Sequence, residues 1–97
     1  MRLTWDPAKG DANLRERGFD FAFASLVIDG RTLEQEDRRH AYGERRIVAI
    51  GLAQGIHVAV VYTDRVDDAG DIVRRIISAR RRSRREREAW NAATGGP

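Results

Sequence analysis

The sequence has no cysteine. That excludes a disulfide framework, an iron–sulfur cluster, a thiolate zinc site and a thiol nucleophile, and two histidines alone cannot complete a structural zinc site. Stability must then come from packing. Long apolar runs are also missing: the stretches near Ile47 to Leu52 and Val58 to Tyr62 are far too short to span a bilayer, and the amino terminus lacks the apolar core of a signal peptide. The expected setting is the cytoplasm, with no membrane contact. Aromatics make up 7% of 97 residues, against 41% hydrophobic and 34% charged, the composition of one small domain. We take residues 1–93 as that domain and 94–97 as a frayed tail. A chain of this size buries about 60–65% of the surface its unfolded form exposes, so surface sites are expected rather than deep cavities. A multi-step enzyme built around a nucleotide is not expected at this size, and neither is a cofactor or metal.

What is present is arginine. Eighteen basic and fifteen acidic side chains give a net charge of +3, and Lys9 is the single lysine. Met1 to Glu44 holds seven basic and nine acidic residues, leaving eleven against six in Arg45 to Pro97. Between Arg74 and Arg87, eight arginines meet one acid, Glu86. A guanidinium binds phosphate in two-pronged fashion and stacks on bases, which points to a polyanion. The competing reading is a solvated helix face with ion pairs.

The pattern of residues predicts an α+β fold in the order strand, two helices, about four antiparallel strands, helix. Arg2 to Trp5 reads as an edge strand. Asp6-Pro7 starts a helix to about Arg17, with Ala8, Ala12 and Leu14 as buried candidates and Gly18 as its left-handed stop. Asp20 opens a second helix over Phe21 to Ile28, ended by Asp29-Gly30. Thr32 to Glu36 suggests a charged edge strand. Arg46 to Leu52 and Ile56 to Thr63 are β-branched runs joined by Ala53-Gln54-Gly55, a central hairpin buried on both faces. Asp64 to Asp71 reads as a loop. Ile72 to Ala79 follows as a strand with Val73, Arg75, Ile77 and Ala79 on one face and Arg74, Ile76 and Ser78 on the other. Ser83 and Glu86 have capping-box spacing, so a last helix begins at Arg84 and reaches Ala92 or Ala93.

Arg84 and Arg85 place positive side chains against the positive end of that helix dipole, an arrangement costing about a few tenths of a kcal/mol each. A docked phosphate removes the conflict, because free amides, dipole and guanidinium groups then act together. Arg80, Arg75 and Arg65 are expected to converge with them on one basic concavity. Binding an RNA phosphate needs no more than this. Cleavage also requires that a 2′-hydroxyl lose a proton and a leaving oxygen gain one. The groups available for that are His40, His57, Glu86, Tyr42 and Tyr62, with histidine best matched to neutral pH. His57, mid-strand in an apolar run, reads as a packing residue, and Glu86 doubles as a cap. Trp5 and Trp90 also read as packing residues, although a partly exposed Trp90 would be able to stack a base.

Trp5-Asp6-Pro7-Ala8-Lys9 with Asn13 and Gly18, Asp37 and His40 before Arg46, Ile50-Gly51, Val60 to Arg65, and above all Arg75-Ile76-Ile77-Ser78-Ala79-Arg80 followed by Glu86-Arg87 and Trp90 resemble the BrnT family of bacterial toxins. The likeness spans nearly the whole chain. It implies a RelE-like fold and a type II toxin: a ribonuclease that arrests translation and is held inactive by a BrnA-like antitoxin encoded alongside. It further implies two toxins with two antitoxins, RNA as substrate on or off the ribosome, and operator DNA contacted mainly through the antitoxin. Relatives of this fold work with Lys, Arg and Tyr. By matching position, the resemblance assigns Arg65 and Arg80 to the pentavalent phosphate, His40 to proton transfer and Glu86 to an alternative base. Lys9, Arg75, Arg81, Arg84 and Arg85 are then RNA-binding candidates. Three positions depart from the family pattern: Arg17 stands where His is usual, Arg74 where an apolar residue is expected, and Trp90 in place of Tyr. Two other readings stay open, a non-catalytic RNA- or DNA-binding module and an inactive antitoxin-binding protein.

Overall fold

A computed structural model describes residues 1–39, 41 and 43–96. The α+β order expected from the sequence is observed. The described residues form β1 (Arg2–Trp5), α1 (Pro7–Arg17), α2 (Phe21–Asp29), β2 (Thr32–Glu36), β3 (Ile47–Ala53), β4 (Ile56–Val66), β5 (Ile72–Arg81) and α3 (Arg84–Thr94). The strands make one mixed sheet in the order β1-β5-β4-β3-β2, in which β1 runs parallel to β5 and every other pair is antiparallel.

Local chemistry sets the boundaries. Asp6 caps α1 by accepting from the Ala8 amide at 2.9 Å, and Gly18 closes it at φ 86°. Asp20 caps α2 through the Phe23 amide. Gln54 and Gly55, both at positive φ, form the two-residue turn that joins β3 to β4. The buried side of α1 differs from the expected one: it is Gly10 and Asn13, while Leu14 is 49% exposed. Gly10 lets the helix settle on the Trp5 ring, and Asn13 donates to the Phe19 carbonyl at 2.8 Å. That rotation carries Leu14 outward.

The sheet separates two apolar clusters. On one face α1 and α2 cover Phe19, Phe21, Ala24, Val27, Val58, Val60, Ile76 and Ala79. On the other, Trp90 of α3 covers Ile50 and Ala59. Trp90 is 4% exposed, so it packs and offers no ring for base stacking. β4, β5 and α3 all run longer than the sequence suggests. β4 continues through Asp64, Arg65 and Val66, because Arg74, Val73 and Ile72 pair with them, and only 67–71 remain as loop. α3 likewise reaches Thr94, whose hydroxyl donates to the Trp90 carbonyl, and Gly95 closes it in the left-handed conformation.

β5 contains the irregularity that matters for function. Val61 pairs with Ser78 and Tyr62 with Ile76, leaving Ile77 as an extra residue in a bulge. Strict alternation would set Ile76 and Ala79, and also Arg75 and Arg80, on opposite faces. The bulge instead puts Ile76 and Ala79 together in the α1/α2 core, and turns Arg75, Ser78 and Arg80 toward the α3 face.

Candidate active site

The site is built where β5 hands the chain to α3. Ser83 caps α3 by accepting from the Glu86 amide at 3.2 Å, and the Glu86 carboxylate returns a bond from the Ser83 amide at 2.7 Å. The same carboxylate takes both arms of Arg80, Nη1 to Oε1 at 2.6 Å and Nη2 to Oε2 at 3.0 Å. Capping therefore fixes the carboxylate, and the carboxylate fixes the guanidinium plane. Burial pushes the Glu86 carboxyl up, but the bonds from Arg80 and Ser83 outweigh it and hold it below its ordinary value. An ionised, doubly engaged carboxylate orients a cation better than it accepts a proton.

Arg80 and Glu86 line an open cleft of about 500 Å³ together with Gln35, Glu36, Asp37, Arg38, Arg39 and Val48. The end of β2 and the chain after it thus supply the opposite wall. The cleft is charge-balanced rather than basic: Asp37 takes two bonds from Arg39, and Glu36 pairs with Arg38 and, at 2.8 Å, with Arg45. Those two arginine contacts hold the Glu36 carboxyl below its usual range. Sequence reading missed Glu36 and Asp37 as part of this wall. The signal was the acid–acid–Arg–Arg run Glu36 to Arg39 directly after an edge strand.

The other anticipated residues are distributed as follows. Arg65 and Arg75 share the α3 face of the sheet with Arg80 by register, Arg65 opposite Val73 and Arg80 opposite Ala59. Arg65 is therefore six residues along β4 from Arg80's rung, about 20 Å at 3.3 Å per residue, and its nearest carboxylate is Glu44 at 3.8 Å. Arg84 and Arg85 are exposed in the first turn of α3. Arg81 points to the opposite face, where it borders a cavity with Leu14, Arg17, Phe19, Phe23 and Ile56, and Lys9 lies exposed on α1, which covers that same face. A single concavity holding all of these cations is not what the sheet provides, because alternation sends Arg80 and Arg81 to opposite sides.

Among proton-transfer candidates, His40 and Tyr42 lie outside the described residues. The segment leading to position 40, Asp37 to Arg39, lines the cleft. Tyr62 sits on the α1/α2 face, donates to Glu34 at 2.9 Å, and is raised by burial and by that bond to about 12, so it keeps its proton at neutral pH. His57 packs edge-on against Trp90, with ring centroids 5.8 Å apart, and is lowered by burial and by Arg82 and Arg87. The departures from the family pattern have structural uses: Arg17 donates to the Ala79 carbonyl at 2.8 Å, and Arg74 chelates Asp64 while lying 3.9 Å over the Tyr62 ring. Among the described residues no group of three His, Asp or Glu is placed to hold a metal ion, and no helix is long and apolar enough to cross a membrane.

A family model described as "Ribonuclease toxin, BrnT, of type II toxin-antitoxin system" matches residues 5–86. The match takes in every element from Trp5 at the end of β1 to Glu86, the carboxylate that holds Arg80. No curated protein matches the chain.

Proposed function

This chain belongs to the BrnT family of type II toxin–antitoxin ribonuclease toxins, and on that premise we propose that it is an endoribonuclease that works without a metal, arrests translation in the cytoplasm and is neutralised by a BrnA-like antitoxin. The observation that carries the reading is Arg80, oriented in its plane by Glu86 and facing an open cleft. In the reaction the 2′-hydroxyl gives up its proton and bonds to phosphorus, the bond from phosphorus to the 5′-oxygen breaks, and that oxygen takes a proton. Arg80 neutralises the charge that accumulates on the phosphorane oxygens, where a preorganised donor contributes most. Glu86 acts as a positioning residue for Arg80, supported by its lowered carboxyl and its three hydrogen bonds. His40, which follows the cleft residue Arg39, is the proposed proton-transfer group. Arg65 and Arg75, on the same face, bind flanking phosphates. The antitoxin joins as two copies with two toxins and supplies most of the contact to operator DNA.

Expression of the chain alone should stop growth, and co-expression of the antitoxin should restore it. Purified chain, folded and free of antitoxin, should cut RNA in at least one of two settings, with or without translating ribosomes; intact RNA in both refutes the enzymatic reading. The charge balance of the cleft favours one alternative, a module that binds nucleic acid without turnover. Arg80→Ala separates the two. In an enzyme, cleavage falls much further than affinity, whereas in a binding module only a salt-dependent affinity is lost.

A further inference from the structure

Three buried polar side-chain atoms among the described residues have no hydrogen-bond partner: Nδ1 of His57, Nε of Arg82 and Nε1 of Trp90. They are not scattered. His57 and Trp90 are in ring contact beneath α3, and His57 and Arg82 border one cavity of about 250 Å³ with Gly55, Ile56 and Arg81. Leaving a buried donor unmatched costs about 1–3 kcal/mol, so a fold selected only for stability would place an apolar residue or a carboxylate here. Neither is present: no acid borders the cavity, and Arg82 and Arg87 form no ion pair within 4.0 Å among the described residues. This is the reverse of the cleft at Arg80, where every lining guanidinium is matched to an acid.

We propose that His57 and Arg82 form a second phosphate-binding site, which takes a backbone phosphate of the RNA next to the one handled by Arg80. The placement suits that role, because Arg82 follows Arg80 by two residues, about 7 Å of extended chain, and lies at the same junction of β5 with α3. Chemistry fits as well. A neutral imidazole offers one N–H to a phosphate oxygen, and burial with two nearby guanidinium groups keeps His57 neutral until an anion arrives. The Gly55 turn leaves the mouth of the cavity without a side chain at that position. An anion in this cavity brings the charge that the fold omits. The site rests on the ribonuclease reading for the identity of its ligand, and it uses residues that reading does not.

The test is fluorescence anisotropy with a labelled single-stranded oligonucleotide carrying 2′-O-methyl groups, so that no cleavage interferes, across a range of salt. Arg82→Gln and Arg87→Gln are compared with wild type and with Arg31→Gln, a control beside Leu52 and Gly95 at a different cavity. Circular dichroism verifies that each variant folds. The expected result is a 5- to 10-fold loss of affinity for Arg82→Gln, a smaller loss for Arg87→Gln and none for Arg31→Gln. The slope of log affinity against log salt should fall by about 0.7 for each phosphate contact removed. If wild type binds the oligonucleotide but Arg82→Gln and Arg87→Gln match the Arg31→Gln control in affinity and slope, the second site is wrong and the ribonuclease reading stands. If folded wild type neither binds nor cleaves RNA, both fall. Arg82→Gln weakening the antitoxin complex while leaving RNA affinity unchanged would also overturn the proposal, and would assign the cavity to a carboxylate of the partner.

Discussion

Removing the Glu86 carboxylate tests how far one residue joins folding to the site. The Glu86 side chain is 15% exposed and that of Arg80 33%, so the pair is neither a solvated surface bridge nor a fully buried one. Breaking a fully buried pair from one side costs about 3–5 kcal/mol, and the partial exposure of Arg80 discounts this substantially. Loss of the reciprocal cap on the Ser83 amide adds about 0.5–1 kcal/mol. Glu86→Ala should therefore destabilise the domain by about 2–3 kcal/mol, which in a chain of this length lowers Tm by about 10–20 °C. Glu86→Gln keeps an oxygen for the Ser83 amide and should cost only about 1 kcal/mol. The sign of its pH dependence follows from a folded carboxyl held below its ordinary value of 4.5. Such a group stabilises the fold above the unfolded value and loses that contribution as pH falls through the folded one. Urea unfolding followed by circular dichroism from pH 7 to pH 3 should thus show wild type above Glu86→Gln at neutral pH, with the gap closing below about pH 4.5. Equal stability of wild type and Glu86→Ala at pH 7, or a gap that persists undiminished at pH 3, would refute the reasoning.

Three further outcomes follow from separate parts of the molecule. A Cβ at Gly51 would sit 2.9 Å from the Arg31 carbonyl oxygen and 3.0 Å from Val27 Cγ1, so Gly51→Ala should destabilise by about 1–3 kcal/mol in a denaturant titration. Tyr62 is raised to about 12, so an absorbance titration should show one tyrosine ionising near that value and lose it in Tyr62→Phe. The stability contributed by its protonated form is present below pH 10 and lost as pH rises through 12. Arg65→Ala and Arg80→Ala should act independently on RNA affinity, their free-energy losses adding to within about 0.5 kcal/mol, because the two rungs are far apart; a coupling above about 1 kcal/mol would mean that both reach one phosphate.

Most of the fold is legible in residues whose effect is local. Asp6-Pro7, Gly18, Asp20, Ser83 with Glu86 and the Gln54-Gly55 turn act within a few positions of themselves, so their reading needs no knowledge of the rest of the chain. The features that escaped it are those decided by partners distant in sequence. β4 extends past Thr63 because β5 returns alongside, and Leu14 faces solvent because Gly10 and Asn13 fit against Trp5 and Phe19. The bulge at Ile77 is a property of two strands together, and no pattern within Ile72 to Ala79 announces it. Arginine density was legible, but its division between faces was not, since alternation plus one bulge decides which guanidinium reaches which side. The match of cations to Glu36, Asp37 and Glu86 likewise depends on β2 ending across the sheet from α3.

That division changes what the arginines are suited to do. Six residues of β4 separate the rungs of Arg65 and Arg80, about 20 Å, more than two extended guanidinium groups can bridge onto a single phosphate. Arg75 lies between them in β5, and Arg82 lies beyond Arg80, so the cations on this side follow the strand direction as a line rather than gathering at a point. A line of separated cations suits an extended single strand, whose charge repeats along its length, better than it suits a compact anion. Among the described residues, only Arg80 has its guanidinium held at both terminal nitrogens by a carboxylate that is itself fixed by a helix cap. Orientation of that kind contributes most where charge develops during reaction, while loosely held cations serve for attraction and alignment. The bulge is what permits this arrangement: were Ile77 taken into a regular ladder, strict alternation would turn Arg75 and Arg80 to opposite faces, dividing the line without removing a single charge, whereas deleting Ile77 should flatten the bulge and leave both on one face.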